Sequence, residues 1–399
     1  MKSDRFFKKK LSNGLTILFE KRELPVVSSA VGINFGALYE SEKEKGISHL
    51  IEHMLFKGTK KRGYEELSKE IEKKGGILNG YTGEEATVFW SKLPSKHVDT
   101  GIEIISDIIL NPAFSEEEFE KEKGIVIEEI NMYHDNPVYY VHDKIKELLY
   151  EAPFGMSIAG TIEIVKSLTR EDVKDFFNKN YKTDKMVLCV VGDAEFDFIC
   201  KKAESLFPES KTEFNLPEIR KKNLKIVETR KGLDQAHLIL GIHSPNLGQK
   251  EKYAYDIALA YLAGGMSSVL FNEIRQKRGL AYDLRADSDI GRNYGYLTIY
   301  AGAKKENLDE IERIIKEEIG KLKNFQQKDL DDAREQLIGL KKVEEESSSR
   351  VMSALIAEEF GEGAEAFYDY DENVMAVRLE DVRKIGEIMD FSSLRLIPE

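Results

Sequence analysis

The succession of strand and helix signals in this chain occurs twice, about 210 residues apart. That repeat narrows the possible folds more than any other feature. The first half opens with a hairpin pattern. Phe6 to Lys10 is followed by Asn13-Gly14, a pair suited to the two positive φ angles of a tight turn, and then by Leu15 to Glu20. A strand over Ser28 to Gly36, helices from about Gly46 and over Tyr64 to Lys74, strands over Ile77 to Thr82 and Ala86 to Leu93, and a helix over Val98 to Leu110 follow. The second half repeats that order. Strands Leu224 to Glu228 and Ala236 to His243 precede a helix from Lys252 to Leu262. After Gly264-Gly265 come a helix to Arg278, strands Ala281 to Asp289 and Gly295 to Ala303, and a helix over Asn307 to Leu322. The expected fold class is therefore α+β. It consists of two duplicated α/β domains, each a mixed, mostly antiparallel sheet with helices packed on one face. The expected division is 1–207, a polar Pro-containing linker at 208–222, and 223–399.

A length of 399 residues fits two such domains. The net charge of −13 argues against general affinity for nucleic acid or anionic lipid. Cys189 and Cys200 are too few for a disulfide framework or a cysteine-rich metal site and suit a reducing compartment. The N-terminal MKSDRFFKKKLSNG lacks the apolar core of a signal peptide, and no apolar run reaches membrane-spanning length. A cytoplasmic protein without a membrane anchor is expected. Gly75-Gly76 lacks the Lys and Ser/Thr of a phosphate loop, so nothing supports nucleotide binding. Abundant Lys and Glu are consistent with heat adaptation.

The chemistry concentrates in Gly46 to Phe56. Ile47, Leu50, Ile51, Met54 and Leu55 form an apolar stripe at helical spacing, while His49, Glu52, His53 and Phe56 fall on the other side. Histidines at i and i+4 point the same way and can reach one ion, with Glu52 beside them as a proton acceptor. Such an HxxEH string arises by chance in roughly one chain in a hundred of this composition, which favours a metal over two solvated histidines. The corresponding segment of the second half, around Ala258 and Leu262, has no metal-binding side chain. The first half is thus expected to carry the chemistry. A catalytic zinc needs a third protein ligand and one open position. The carboxylate-rich segment Ser115 to Tyr133 can supply it, and spacing alone does not choose between Glu128 and Glu129.

The sequence resembles the inverted-motif zinc peptidases, the family of pitrilysin, insulin-degrading enzyme and mitochondrial processing peptidase. The likeness runs from NGLTI through GISHLIEHMLFKGT and EKGIVIEEINMYHDNP to GGMSSVLFNEIRQKRGLAY. Its length matches the short, dimer-forming branch, and a glutamate stands 76 residues after His53. The resemblance implies one Zn²⁺ per chain held by His49, His53 and Glu129, with Glu52 as general base and Glu122 supporting the metal histidines. It also implies that Arg275 and Tyr282 contact substrate near the scissile bond. It makes Asn79, Gly80, Tyr81 and Thr82 an edge strand to which an extended peptide adds, with Phe56 walling the pocket beside the metal. The implied activity is a zinc endopeptidase acting on extended or unfolded peptides inside a clam-shaped chamber made by two chains. A homodimer is expected, and a heterodimer is the alternative. One departure is that the family's triple glycine before MSS reads Ala263-Gly264-Gly265.

Two other functions fit the same residues: a dedicated processing peptidase working with a non-catalytic partner, or a non-catalytic structural subunit of the same fold. The remaining histidines have plainer explanations. His134-Asp135 and His142-Asp143 are expected on solvated helical faces, and His237 and His243 in an alternating strand.

Overall fold

The computed structural model describes residues 4–213 and 215–399. Met1 to Ser3 of the basic N-terminal stretch, and Phe214 of the expected linker, lie outside the described residues. The chain divides into two compact units. Unit 1 comprises 1–131, 157–217 and 344–368, and unit 2 comprises 132–156, 218–343 and 369–399. Both depart from the contiguous division expected at 208–222, because each contains a segment from the other half of the sequence.

Among the described residues, unit 1 holds strands β1 (Phe6–Lys10), β2 (Thr16–Lys21), β3 (Val26–Ile33), β4 (Ile77–Thr82), β5 (Thr87–Pro94) and β6 (Met186–Gly192). They form one sheet in the order β1-β2-β6-β3-β5-β4. Only the β2–β6 pair is parallel. Unit 2 holds β7 (Lys225–Arg230), β8 (Ala236–His243), β9 (Ala281–Ile290), β10 (Gly295–Ala303) and β11 (Ser392–Pro398), in the order β7-β11-β8-β10-β9. Again only the first pair is parallel. Strands β2-β6-β3-β5-β4 therefore have the same topology as β7-β11-β8-β10-β9, which is the repeat read from the sequence.

The opening hairpin differs from its expected form. Lys10 pairs with Thr16, so five residues close it, and only Gly14 has a positive φ, at 95°. Asn13 acts through its side chain, accepting from Leu15 N–H and donating to the Phe207 carbonyl. The amide thus builds a local turn and ties it down, a use of Asn that needs no left-handed backbone. Strand β6 reads MVLCVVG and is buried along its whole length. A strand covered on both faces shows no alternation in its sequence.

The cores explain why both faces of β6 are apolar. Ile17, Phe19, Leu188 and Val190 join the cluster under the helices of the first half, including Ile47–Leu55 and Val98–Leu110. The alternate residues Leu18, Val187, Cys189 and Val191 face the other way. There they meet Val351, Met352, Leu355, Ile356 and Phe360 of helix Ser348–Phe360, which comes from the second half of the chain. In unit 2 the converse holds. Helix Pro137–Leu149, from the first half, packs on β8 and β11. A Cβ on Gly241 would lie 2.8 Å from Leu149 and 2.9 Å from Ile145, so the strand accommodates this helix by lacking a side chain. The expectation of helices on one face is corrected accordingly: an exchanged helix covers the second face of each sheet.

Candidate metal centre

Helix Ile47–Leu55 is fixed by its apolar stripe. Ile47, Leu50, Ile51, Met54 and Leu55 are all buried, which turns His49, Glu52 and His53 away from that core. The two imidazoles lie with ring centres 4.7 Å apart and planes at 74°. Helix Glu116–Asp135 docks through Phe119, Glu122 and Val126, all buried. The same helical face, three residues beyond Val126, carries Glu129. Glu129 Oε2 is 3.7 Å from His49 Nε2 and 3.4 Å from His53 Nε2. Glu128 is exposed, so the choice that spacing left open falls on Glu129.

These three side chains suit a zinc ion. Their candidate ligand atoms all lie within 4.8 Å of one another. A tetrahedral ion with bonds of about 2.0–2.2 Å holds its ligand atoms roughly 3.3–3.6 Å apart. Two imidazoles and one carboxylate are also the donor set of an open catalytic site rather than a closed structural one. Burial, followed by the charge on His53, lowers the His49 pKa to about 4, so this ring is neutral with a lone pair available. His49 Nδ1 is buried and has no hydrogen-bond partner among the described residues, leaving Nε2 as the ring's polar outlet.

His53 is held from behind. Glu122, itself buried, has Oε2 3.1 Å from His53 Nδ1 and Oε1 2.8 Å from Lys57 Nζ. Burial lowers the basicity of His53, but hydrogen bonds to Glu129 and Glu122 outweigh it and the net shift is upward. A proton fixed on Nδ1 by Glu122 leaves Nε2 facing Glu129, the orientation that outer carboxylates impose on metal histidines. Lys57 was not singled out in the sequence. It lies four residues beyond His53, yet nothing local distinguishes it from the other lysines.

Glu52 accepts a 2.7 Å hydrogen bond from Thr82 Oγ1. Burial raises its carboxyl above the ordinary range, opposed by that hydrogen bond and by His53. Thr82 thus engages the candidate base directly. The other edge-strand residues divide by side. Asn79 and Tyr81 are exposed, whereas a Cβ on Gly80 would lie 3.1 Å from the Phe56 ring. Phe56 packs against Phe89, with ring centres 5.5 Å apart. It also lines a cavity of ≈ 270 Å³ with Tyr64, Leu67, Ile71 and Leu78. β4 is an edge of its sheet.

Arg275 and Tyr282 belong to unit 2. The Arg275 guanidinium lies 4.6 Å from the centre of the Tyr282 ring and 4.9 Å from that of Phe271, while Tyr282 is 76% exposed. The wide helical turn Phe271–Gln276 and strand β9 bring this pair together. His134 is solvated as expected, and His237 Nδ1 is 2.8 Å from the Tyr300 hydroxyl. His243 Nε2 donates to the Lys222 carbonyl. His142 departs from its expected solvated state, donating to the Val138 carbonyl and packing on Tyr300. Among the described residues, no helix is long and apolar enough to cross a membrane.

The profile of the insulinase family, peptidase family M16, matches residues 16–162, and that of the peptidase M16 inactive domain matches 167–337. A protein of Rickettsia felis described as an uncharacterized zinc protease is 35% identical over 326 residues, covering 78% of this chain and 77% of its own. The uncharacterized zinc protease YmxG of Bacillus subtilis is 32% identical over 352 residues, covering 86% and 85%. A crystal structure of a protease from Helicobacter pylori shares the fold at TM-score 0.90 and 22% identity, covering 98% of this chain and 99% of its own. A Pseudomonas fluorescens structure described as a peptidase M16 inactive domain does so at 0.89 and 18%, covering 99% and 98%. With identity of this extent spanning both repeats, the chain belongs to peptidase family M16, the zinc peptidases typified by pitrilysin and insulinase.

Proposed function

We propose that this protein is a zinc-dependent endopeptidase, one ion per chain, that hydrolyses extended or unfolded peptides. The observation that carries this reading is the convergence of candidate ligand atoms of His49, His53 and Glu129 within 4.8 Å of one another, with Glu52 on the helix that carries both histidines. His49, His53 and Glu129 would hold a zinc ion there, which would supply Lewis acidity towards the peptide carbonyl and the attacking water. Glu52 takes the proton from the attacking water and returns it to the departing amine. Burial raises its carboxyl above the ordinary carboxylate range, the direction a general base needs. Thr82 keeps the Glu52 carboxylate aimed, and Glu122 with Lys57 keeps His53 in the tautomer a metal requires. The open edge of β4 pairs with substrate backbone, which gives affinity with little sequence preference. Arg275 and Tyr282 donate hydrogen bonds to the reacting carbonyl region.

The direct test uses a quenched, unstructured peptide. Treatment with a strong chelator should abolish cleavage, and one equivalent of Zn²⁺ per chain should restore it. Intact zinc-loaded protein that cleaves none of several unrelated peptides would reject the general endopeptidase and favour a leader-specific processor.

We further propose a homodimer in which Arg275 and Tyr282 of one chain serve substrate bound at its partner's metal. Chains carrying His49→Ala and Arg275→Ala, each inactive alone, should regain activity when refolded together. Proven heterodimers without activity would exclude this sharing. Free, buried Cys189 and Cys200 fit a reducing compartment, and we place the protein in the cytoplasm.

A further inference from the structure

Immediately before the metal helix lies an ion pair that the proposed chemistry does not use. Glu40 and Lys45 both have fully buried side chains, with Lys45 Nζ 3.7 Å from Glu40 Oε2. Buried charges are costly unless their remaining hydrogen-bonding capacity is met, and here it is met by backbone. Glu40 Oε2 accepts from Gly46 N–H at 3.0 Å and Oε1 from Ser48 N–H at 2.7 Å, while Lys45 donates to the Ala37 carbonyl at 2.7 Å. Gly46 and Ser48 flank the first residue of the metal helix, and His49 is the next residue. A helix start has unpaired N–H groups and a partial positive charge, and a carboxylate there answers both.

The same segment is tied to the other side of the centre. Ala37 N–H donates to the Gly83 carbonyl and Leu38 N–H to that of Glu84, at 3.0 and 2.8 Å. Gly36 lies so close that a Cβ would stand 2.4 Å from the Gly83 oxygen. Gly83 directly follows Thr82, the hydrogen-bond donor to Glu52. Residues 36–40 therefore connect the helix start that sets His49 with the turn that sets Thr82. The first turn is also clamped from a third side. Gly46, at φ 96°, and Gly160, at φ 77°, meet backbone to backbone, and a Cβ on Gly160 would stand 2.2 Å from the Lys45 oxygen.

We infer that Glu40, neutralised by Lys45, is a positioning residue that fixes the start of the metal helix against the Thr82 turn, so that His49 and Glu52 are presented together. This inference rests on the metal reading of His49, His53 and Glu129. Glu40→Asp keeps the charge for Lys45 but shortens the reach to Gly46 and Ser48. The double variant Glu40→Gln with Lys45→Met removes both charges and leaves none unpaired.

Zinc affinity is measured by competition with a chromophoric chelator, the visible spectrum is recorded on the cobalt-substituted protein, and folding is followed by circular dichroism. Both variants are expected to fold, to bind zinc about tenfold more weakly or worse, the range outer partners of a metal site reach, and to shift the cobalt bands. Folded variants with wild-type zinc affinity and cobalt spectrum would overturn the assignment, reducing the pair to a structural role. If neither variant folds, hydrogen exchange on the metal-free wild type decides. Slow exchange at the Gly46 and Ser48 amides supports the cap, and exchange at unprotected rates overturns it. A wild-type protein that binds no zinc would instead refute the metal reading itself.

Discussion

A Glu52→Gln chain is expected to bind zinc as tightly as wild type while losing peptide hydrolysis by about 10²–10⁴-fold, the usual contribution of a positioned general base. The substitution is nearly isosteric, so the amide can keep the hydrogen bond from Thr82 Oγ1 and the helix keeps its apolar stripe. What it removes is the ability to take up a proton. His53→Ala should behave differently. It deletes a proposed ligand and leaves buried Glu122 facing a void, with Lys57 as its one remaining partner among the described residues, so metal should be lost along with activity. Metal content by elemental analysis, set beside kcat on a quenched peptide, separates the two. Equal metal loss in both variants would refute the division of roles.

The second large effect is expected outside the metal centre. Leu355→Ala should destabilise the protein by about 2–5 kcal/mol, read as a lowered urea midpoint at unchanged slope. Leu355 is fully buried on helix Ser348–Phe360, in the cluster that closes the second face of the unit 1 sheet. That sheet includes β4, whose Thr82 engages Glu52. A loss under about 1 kcal/mol would show that the helix is not docked as the structure has it, since full burial of leucine leaves little room for a cheap truncation.

The metal helix was legible because two periodicities coincide in eleven residues. An apolar stripe fixed its orientation, and the histidine spacing then had only one direction to point. The repeat was legible for a similar reason, since alternating strands such as β4 and amphipathic helices carry their own burial pattern. Residues whose role depends on tertiary partners were not legible. Lys57 and Glu40 are ordinary charges until folding sets them against Glu122 and against two backbone N–H groups. Strand β6 was hidden because burial on both faces erases the alternation. Asn13-Gly14 signalled a turn but not its length, because the side chain of Asn13 rather than its backbone determines the turn. Helix Ser348–Phe360 reads as a plain amphipathic segment, and nothing within it reveals that it closes a sheet formed by strands from the first half.

That exchange has a consequence for how the protein is made. The last strand of the unit 1 sheet ends at Gly192, but the helix that covers its second face ends at Phe360, 168 residues later (360 minus 192). At roughly 5–20 residues per second the ribosome needs roughly 8–34 s to deliver it. During that interval Leu18, Val187, Cys189 and Val191 form an apolar surface on the nascent chain with no native cover. The histidines and glutamates of the metal centre are all synthesised before the wait begins, whereas the helix that covers the second face of the sheet carrying Thr82 is not. Unit 1 therefore does not complete its fold until residue 360 has been synthesised.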